Sequence, residues 1–80
     1  MTIEEKIRSF IVDNFLFGEE SWLRNDGSFL EGGIIDSTGI MQLVAFVEQE
    51  FAIAVEDQEL IPENLDSIDK VAAFVAKKGR

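Results

Sequence analysis

Histidine and cysteine are both absent from the chain, and these two absences exclude several kinds of chemistry. Without cysteine the chain has no disulfides and no thiolate metal sites. Without histidine it lacks the usual general base, the commonest metal ligand and any Ser-His-Asp triad. A serine-dependent hydrolase is disfavoured, because no imidazole activates a hydroxyl and the lysines lie toward the chain ends.

Basic residues are scarce in the middle of the sequence. Between residues 11 and 69 the only one is Arg24, whereas all of the 16 acidic residues except Glu4 and Glu5 lie there, and the formal net charge is −9. Such a surface repels nucleic-acid phosphate and anionic lipid, so we expect no nucleic-acid partner. It favours basic patches on partner proteins. The alternative is that the acidity only maintains solubility.

Long apolar runs are also missing. The longest runs from Val71 to Ala76, too short to span a bilayer, so we expect no membrane insertion. The first five residues are acidic where a signal peptide is positively charged, which predicts a cytoplasmic location. A length of 80 residues supports one modest core. We therefore expect a single domain over residues 1–80 and a monomer.

Helical periodicity is present in three segments. The first is predicted over about residues 3 to 16, with a capping box formed by Thr2 and Glu5. The second is capped by Asp36 or Ser37, and the last by Asp66 or Ser67. Their apolar stripes are Ile3, Ile7, Phe10, Ile11 and Phe15; Ile40, Leu43, Val44, Val47 and Phe51; and Ile68, Val71, Ala72 and Val75.

Two shorter features complete the prediction of an all-α fold. One helical turn is expected near residues 57–60, and Pro62 suits the first position of a short helix that ends at Leu65. Residues 17–36 form a long loop between helices 1 and 2. Because this loop contains six large apolar residues after Gly18, we expect it to pack across the helices. These residues are Trp22, Leu23, Phe29, Leu30, Ile34 and Ile35.

The candidate site is the segment 33–38, which reads Gly-Ile-Ile-Asp-Ser-Thr. It places the hydroxyl of Ser37 at a loop-to-helix junction, where an attached phosphate would meet unpaired backbone amides and the positive end of the helix dipole. Taken alone, Asp36 and Ser37 are more simply explained as ordinary capping. A calcium loop around Asp26 is excluded, because Trp22 and Arg24 stand where oxygen ligands are needed. No metal site is expected.

Together with other segments of the chain, these residues resemble those of a known protein family. The chain resembles the acyl carrier protein family in Gly-Ile-Ile-Asp-Ser at 33–37, in the Leu43-Val44 pair and in Val-Glu-Gln-Glu-Phe at 47–51. It does so again in Ile-Ala-Val at 53–55 and Asp-Ser-Ile-Asp-Lys-Val at 66–71. The likeness extends over essentially the whole length. It implies a four-helix acyl-carrier-like bundle, three helices being long and one short, with a long first loop.

The resemblance also implies a function without catalysis. Ser37 would receive 4′-phosphopantetheine from coenzyme A through a separate phosphopantetheinyl transferase, and Asp36 would assist this modification. The arm's thiol would hold acyl or aminoacyl groups as thioesters in fatty acid or secondary metabolite biosynthesis. An activating ligase and downstream acyltransferases would be its partners. Helix 2 is the usual docking surface of the family, which indicates Thr38, Met41, Gln42, Ala45 and Glu48.

The sequence departs from the common family pattern at three positions. Thr38 stands where leucine is frequent, Gly39 where an acidic residue is frequent, and Gln42 where many relatives have glutamate. The pattern resembles free-standing carriers that work with adenylate-forming ligases more than carriers of fatty-acid synthases. The Gly-Gly-His-Ser motif of peptide-synthetase carriers is absent. The alternative function is an unmodified helical interaction module that uses its acidic face only for docking.

Overall fold

A computed structural model of the chain describes residues 2–19 and 23–79. Helix α1 covers Ile3–Phe15 and α2 covers Ser37–Phe51, followed by a 3-10 turn at Asp57–Glu59. The short helix α3, Pro62–Leu65, and the last helix α4, Ile68–Lys78, complete the fold. The described part of the chain contains no strand, which confirms the predicted all-α bundle of three long helices and one short one. Trp22 lies outside the described residues.

The start of α1 is the predicted capping box. The hydroxyl Oγ1 of Thr2 accepts a hydrogen bond from the backbone N–H of Glu5 at 3.1 Å. In return Oε1 of Glu5 accepts from the backbone N–H of Thr2 at 2.8 Å. These bonds satisfy amides that have no partner inside the helix. The Thr2 donors, above all its backbone amide, lower the pKa of Glu5.

The core is formed by the apolar stripes of α1, α2 and α4. Six of its side chains have no exposed surface: Ile7, Ile11, Leu43, Val47, Ile68 and Val71. The long loop contributes Phe29, which is fully buried, together with Leu23 and Ile35. The prediction that this loop packs onto the helices is therefore confirmed for these residues. Leu30 is the exception, since 46% of its surface remains exposed.

Four phenylalanine rings join α1 to α2 in a continuous chain. The rings of Phe10 and Phe46 are stacked, with 4.2 Å between their centroids and 15° between their planes. Phe15 meets Phe10 edge-on at 5.9 Å, and Phe51 meets Phe46 in the same way at 6.2 Å. Such aromatic contacts add stability beyond the area they bury. We call this set the phenylalanine chain.

Polar contacts fix the long loop at its middle. The guanidinium of Arg8 donates to the carbonyl of Leu23 and to Oδ1 of Asn25, both at 2.7 Å. The carbonyl of Asn25 in turn accepts from the backbone N–H of Asp69 at 2.9 Å. The loop is thereby tied to α1 on one side and to the start of α4 on the other.

The connection from α2 to α3 is anchored in a similar way. The carboxylate oxygen Oε2 of Glu48 accepts from the backbone N–H of Val55 at 2.8 Å. Further along, the ammonium of Lys78 in α4 lies 2.9 Å from Oε1 of Glu59. The backbone amide of Glu56 and then the ammonium of Lys78 lower the pKa of Glu59. Among the described residues no helix is long and apolar enough to cross a membrane.

Candidate functional site

Ser37 is the first residue of α2, and its side chain is exposed. The residue before it supplies the cap, because Oδ1 of Asp36 accepts from the backbone N–H of Gly39 at 2.7 Å. The carbonyl of Asp36 also accepts from the backbone N–H of Ile40 at 2.9 Å. Of the two predicted caps, Asp36 is therefore the one used. The Ser37 hydroxyl is not needed for capping and points to no partner within the described residues.

Gly39 brings the first turn of α2 into close contact with its surroundings. A Cβ at this position would lie 2.8 Å from Cε1 of Phe15 and 2.8 Å from Cγ2 of Ile35. Real Cβ atoms do not approach neighbours so closely, and Ile35 is 98% buried and branched at its Cβ. The absence of a side chain at residue 39 therefore allows α2 to begin against the end of α1.

A groove of about 260 Å³ opens beside Ser37, between the start of α2 and the segment around α3. Its walls are almost entirely apolar. Leu30, Met41 and Ile61 form its rim and are 46%, 53% and 41% exposed. The other lining residues are Ser37, Ile40, Leu60, Pro62, Leu65 and Asp66. Three of the four exposed large hydrophobic residues of the described chain thus surround one groove next to one serine.

The residues predicted to dock partners lie along the same helix. Thr38, Met41, Gln42 and Ala45 are all exposed. Glu48 is half-buried, and its carboxylate already holds the backbone of Val55. From Ser37 to Val47 helix α2 has no charged residue, so this face is neutral in a chain of net charge −9. Within the described ranges no group of three ligating side chains is arranged to hold a metal ion.

Known proteins similar to this chain decide its family. An acyl carrier protein of Akkermansia muciniphila is 40% identical over 76 residues, which cover 95% of this chain and 91% of the relative. The chain belongs to the acyl carrier protein family. A probable acyl carrier protein of Serratia sp., PigG, is 32% identical over 75 residues, with 94% of this chain and 86% of the relative covered.

A third relative matches the chain over its whole length. The acyl carrier protein of Bdellovibrio bacteriovorus is 30% identical over 80 residues, 100% of this chain and 99% of its own. No family model matches the carrier. Acyl carrier proteins carry groups between enzymes and are not catalysts, so the present chain is a carrier and not an enzyme. It acts together with biosynthetic enzymes.

Two residues of this region were not predicted from the sequence. The apolar stripe places Phe15 only in the core face of α1, yet its ring reaches the first turn of α2. The sequence allows Asp66 or Ser67 as the cap of α4, and Ser67 is that cap, since its hydroxyl accepts from the backbone N–H of Lys70 at 3.1 Å. The side chain of Asp66 turns instead to the long loop. The only signal for the first contact was the unusual glycine at position 39.

Proposed function

We propose that Ser37 is the attachment site of 4′-phosphopantetheine, and that the terminal thiol of this arm holds acyl or aminoacyl groups as thioesters. The observation that supports it is the exposed hydroxyl of Ser37 at the first position of α2 in an acyl carrier protein. The arm comes from coenzyme A, and a separate transferase forms the phosphodiester with the serine oxygen. The pyrophosphate bond of coenzyme A breaks as the serine O–P bond forms, and adenosine 3′,5′-bisphosphate is the leaving group.

The surroundings of Ser37 suit a phosphodiester. The first amides of an α-helix have no carbonyl partners within the helix and lie at the positive end of its dipole. A phosphate on Ser37 meets this end directly, which is a favourable place for an anion. The side chain of Asp36 occupies only one of these amides, that of Gly39.

Asp36 is proposed to assist the modification. Its exposed carboxylate precedes the serine directly and has one oxygen, Oδ1, bound to the helix. The other oxygen, Oδ2, takes no part in the cap and is available to the transferase. The cap thereby holds the carboxylate at a fixed place beside the hydroxyl that reacts.

The partners are proposed to dock on helix α2. They are the phosphopantetheinyl transferase, a ligase that activates the acyl or aminoacyl group, and downstream acyltransferases. Thr38, Met41, Gln42 and Ala45 offer an exposed surface one to two turns from Ser37. Glu48 is the nearest acidic residue further along the helix and is proposed to meet a basic group of a partner.

The remaining features of the proposal concern the whole chain. We propose a single carrier domain over residues 1–80 that works as a monomer in the cytoplasm. Serial delivery requires weak and reversible binding to each partner, and an acidic surface favours rapid association more than high affinity. The flexible arm raises the concentration of the bound group at the partner's active site.

Intact-mass spectrometry tests the attachment. The carrier is incubated with coenzyme A and a broad-specificity phosphopantetheinyl transferase, and Ser37→Ala and Thr38→Ala are treated in parallel. We expect one phosphopantetheine on the wild type and on Thr38→Ala, and none on Ser37→Ala. The Thr38→Ala control removes the neighbouring exposed hydroxyl and so separates loss of the acceptor from a general disturbance of the helix start.

Two results would contradict the proposal. Addition to Ser37→Ala would place the arm on another residue. No addition to a folded wild type, while a control carrier is modified in the same mixture, would favour the unmodified interaction module instead.

A further inference from the structure

Asp66 links the junction of α3 and α4 to the long loop through three consecutive loop residues. Oδ2 of its carboxylate accepts from Oγ of Ser28, and Oδ1 accepts from the backbone N–H of Leu30 at 3.0 Å. The backbone carbonyl of Asp66 accepts from the N–H of Phe29 at 2.8 Å. The Ser28 hydroxyl also accepts from the backbone N–H of Glu31 at 3.1 Å. We call this group of four hydrogen bonds the Asp66 clasp.

The residue Asp66 is 92% buried, and both hydrogen-bond partners of its carboxylate are neutral. Within the described ranges none of the ion pairs involves Asp66. Burial of a charge without a cation is costly unless its hydrogen bonds are complete. A carboxylate does, however, offer two acceptor oxygens, which an asparagine does not. The position therefore suits a residue that must hold two donors at once.

The clasp acts on the Ser37 site from two directions. First, Leu30 and Asp66 line the groove together with Ser37, so the bond from Leu30 to Asp66 fixes one wall of that groove. Second, the carbonyl of Phe29 accepts from the backbone N–H groups of Ile34 at 3.0 Å and Ile35 at 3.4 Å. Ile35 is the second residue before Ser37, so the same clasp continues into the segment that leads to the serine.

We propose that Asp66 is a positioning residue of the Ser37 site. It holds the groove in the shape that binds the first segment of the phosphopantetheine arm. This inference rests on the proposed attachment of phosphopantetheine. The arm carries a carbon with two geminal methyl groups close to its phosphate, and these are its most apolar part. Ser37 itself lines the groove, so a group tethered there is always at the groove's edge. The apolar rim of Leu30, Met41 and Ile61 is the surface that such methyl groups favour.

Asp66→Ala removes both carboxylate oxygens. The hydroxyl of Ser28 and the backbone N–H of Leu30 then lose their acceptors, and the wall formed by Leu30 is released. Asparagine would be a poor choice, because its amide can donate to the Ser28 hydroxyl while its oxygen accepts from Leu30. Thr2→Ala is the matched control, because it removes a hydrogen bond of similar kind at the start of α1. That end of α1 lies beside the end of α2, as the contact of Lys6 with Glu50 at 3.5 Å indicates, and so lies opposite to Ser37.

The measurement is nuclear Overhauser contact between the geminal methyl groups of the arm and the methyl groups of Leu30 and Met41, on carrier whose modification is complete by mass. We expect these contacts in the wild type and in Thr2→Ala. In Asp66→Ala we expect the contacts with Leu30 to be lost while the arm is still attached and the helical signal is retained. If Asp66→Ala does not fold, Ser28→Ala takes its place, because it removes only the hydroxyl partner, and we expect weakened contacts with Leu30.

Each other outcome overturns the inference in a distinct way. An arm on wild-type Ser37 whose methyl groups show no contacts with Leu30 or Met41 would mean that the groove does not bind the arm. Contacts with Leu30 that persist in Asp66→Ala and in Ser28→Ala show that the clasp does not position them. Contacts that disappear equally in Thr2→Ala are due to general loosening of the fold. Failure of the transferase to modify the wild type removes the proposed function and, with it, this inference.

Discussion

The edge of the Phe15 ring lies against Gly39, where a Cβ would come within 2.8 Å of the ring carbon Cε1. The same Cβ would meet Cγ2 of the buried Ile35 at 2.8 Å. Alanine is the better helix former by about 1 kcal/mol, and at most helical positions it stabilises the fold. Here the contacts oppose that gain.

We expect Gly39→Ala to lower the free energy of unfolding by about 1 kcal/mol. Overpacking in a filled site typically costs about 1–3 kcal/mol, with a middle value of about 2, and the propensity gain offsets about 1. Urea denaturation followed by circular dichroism measures it. Gly27→Ala is the control, because its Cβ would keep 3.5 Å from Arg24. A Gly39→Ala variant as stable as the wild type would mean that Phe15 and Ile35 move aside without cost.

Asp36 has a structural role that is shown and a proposed role in modification, and two substitutions separate them. Asp36→Ala removes the cap of Gly39 and is expected to destabilise the fold by about 1 kcal/mol, whereas Asp36→Asn keeps a capping oxygen and restores most of that loss. If the carboxylate assists the transferase, both variants are modified more slowly than the wild type. The rate is measured by intact mass over time. Modification of Asp36→Asn at the wild-type rate would leave Asp36 as a cap alone.

Glu48 similarly combines a bond to Val55 with a proposed contact to partners. Charge reversal at this position would also remove the acceptor of the Val55 amide, so Glu48→Gln is the better substitution. We expect it to slow loading by partner enzymes more at low salt than at high salt, because salt screens charges that attract across solvent. Glu4→Gln, an exposed carboxylate in the first turn of α1, is the control. Equal slowing at both salt concentrations would argue against an electrostatic contact at Glu48.

The tie between Glu59 and Lys78 predicts a dependence of stability on pH. The pKa of Glu59 is lowered in the fold, by the backbone amide of Glu56 and then by Lys78. A lowered folded-state pKa stabilises the fold above the unfolded pKa, about 4.3 for glutamate, and this contribution is lost as the pH falls through the folded value. We expect Glu59→Gln to be less stable than the wild type at neutral pH.

That difference should shrink as the pH falls below about 4, where the wild-type carboxyl also becomes neutral. Thermal unfolding of both proteins over a series of pH values measures it. Lys78→Met provides the complementary variant, since it removes the cation and leaves the amide of Glu56. A difference that is constant over the whole series would show that the charge of Glu59 does not contribute.

Much of this fold could be predicted, because the bounds of its helices depend on residues that are close together in the sequence. The apolar stripes and caps placed α1 within one residue of its observed end at Phe15, and Pro62 placed the short helix Pro62–Leu65 at its observed bounds. Capping side chains act on amides two or three residues away, so a single sequence contains both partners. The choice between Asp36 and Ser37, by contrast, depended on which side chain the tertiary structure turns toward the helix.

The parts that could not be predicted depend on residues far apart in the chain. Ser28 and Asp66 are separated by 38 positions, and no periodicity relates them. For the contact of Phe15 with Gly39 the sequence offered only the indirect signal of a glycine near the start of a helix. For the site, the motif located Ser37, but the groove beside it is formed by three separate segments that only the fold brings together.

The phenylalanine chain has a consequence for how α1 and α2 move. A benzene ring that turns over sweeps more space than it fills at rest, and the ring of Phe10 has Phe46 stacked on it at 4.2 Å. Its half-turns therefore require the Phe46 ring to shift for a moment, and their frequency records how often this contact between α1 and α2 loosens. This chain of rings ends with Phe15 beside the first turn of α2. The flip rate of Phe10 therefore measures how often the contact between α1 and α2 loosens close to Ser37.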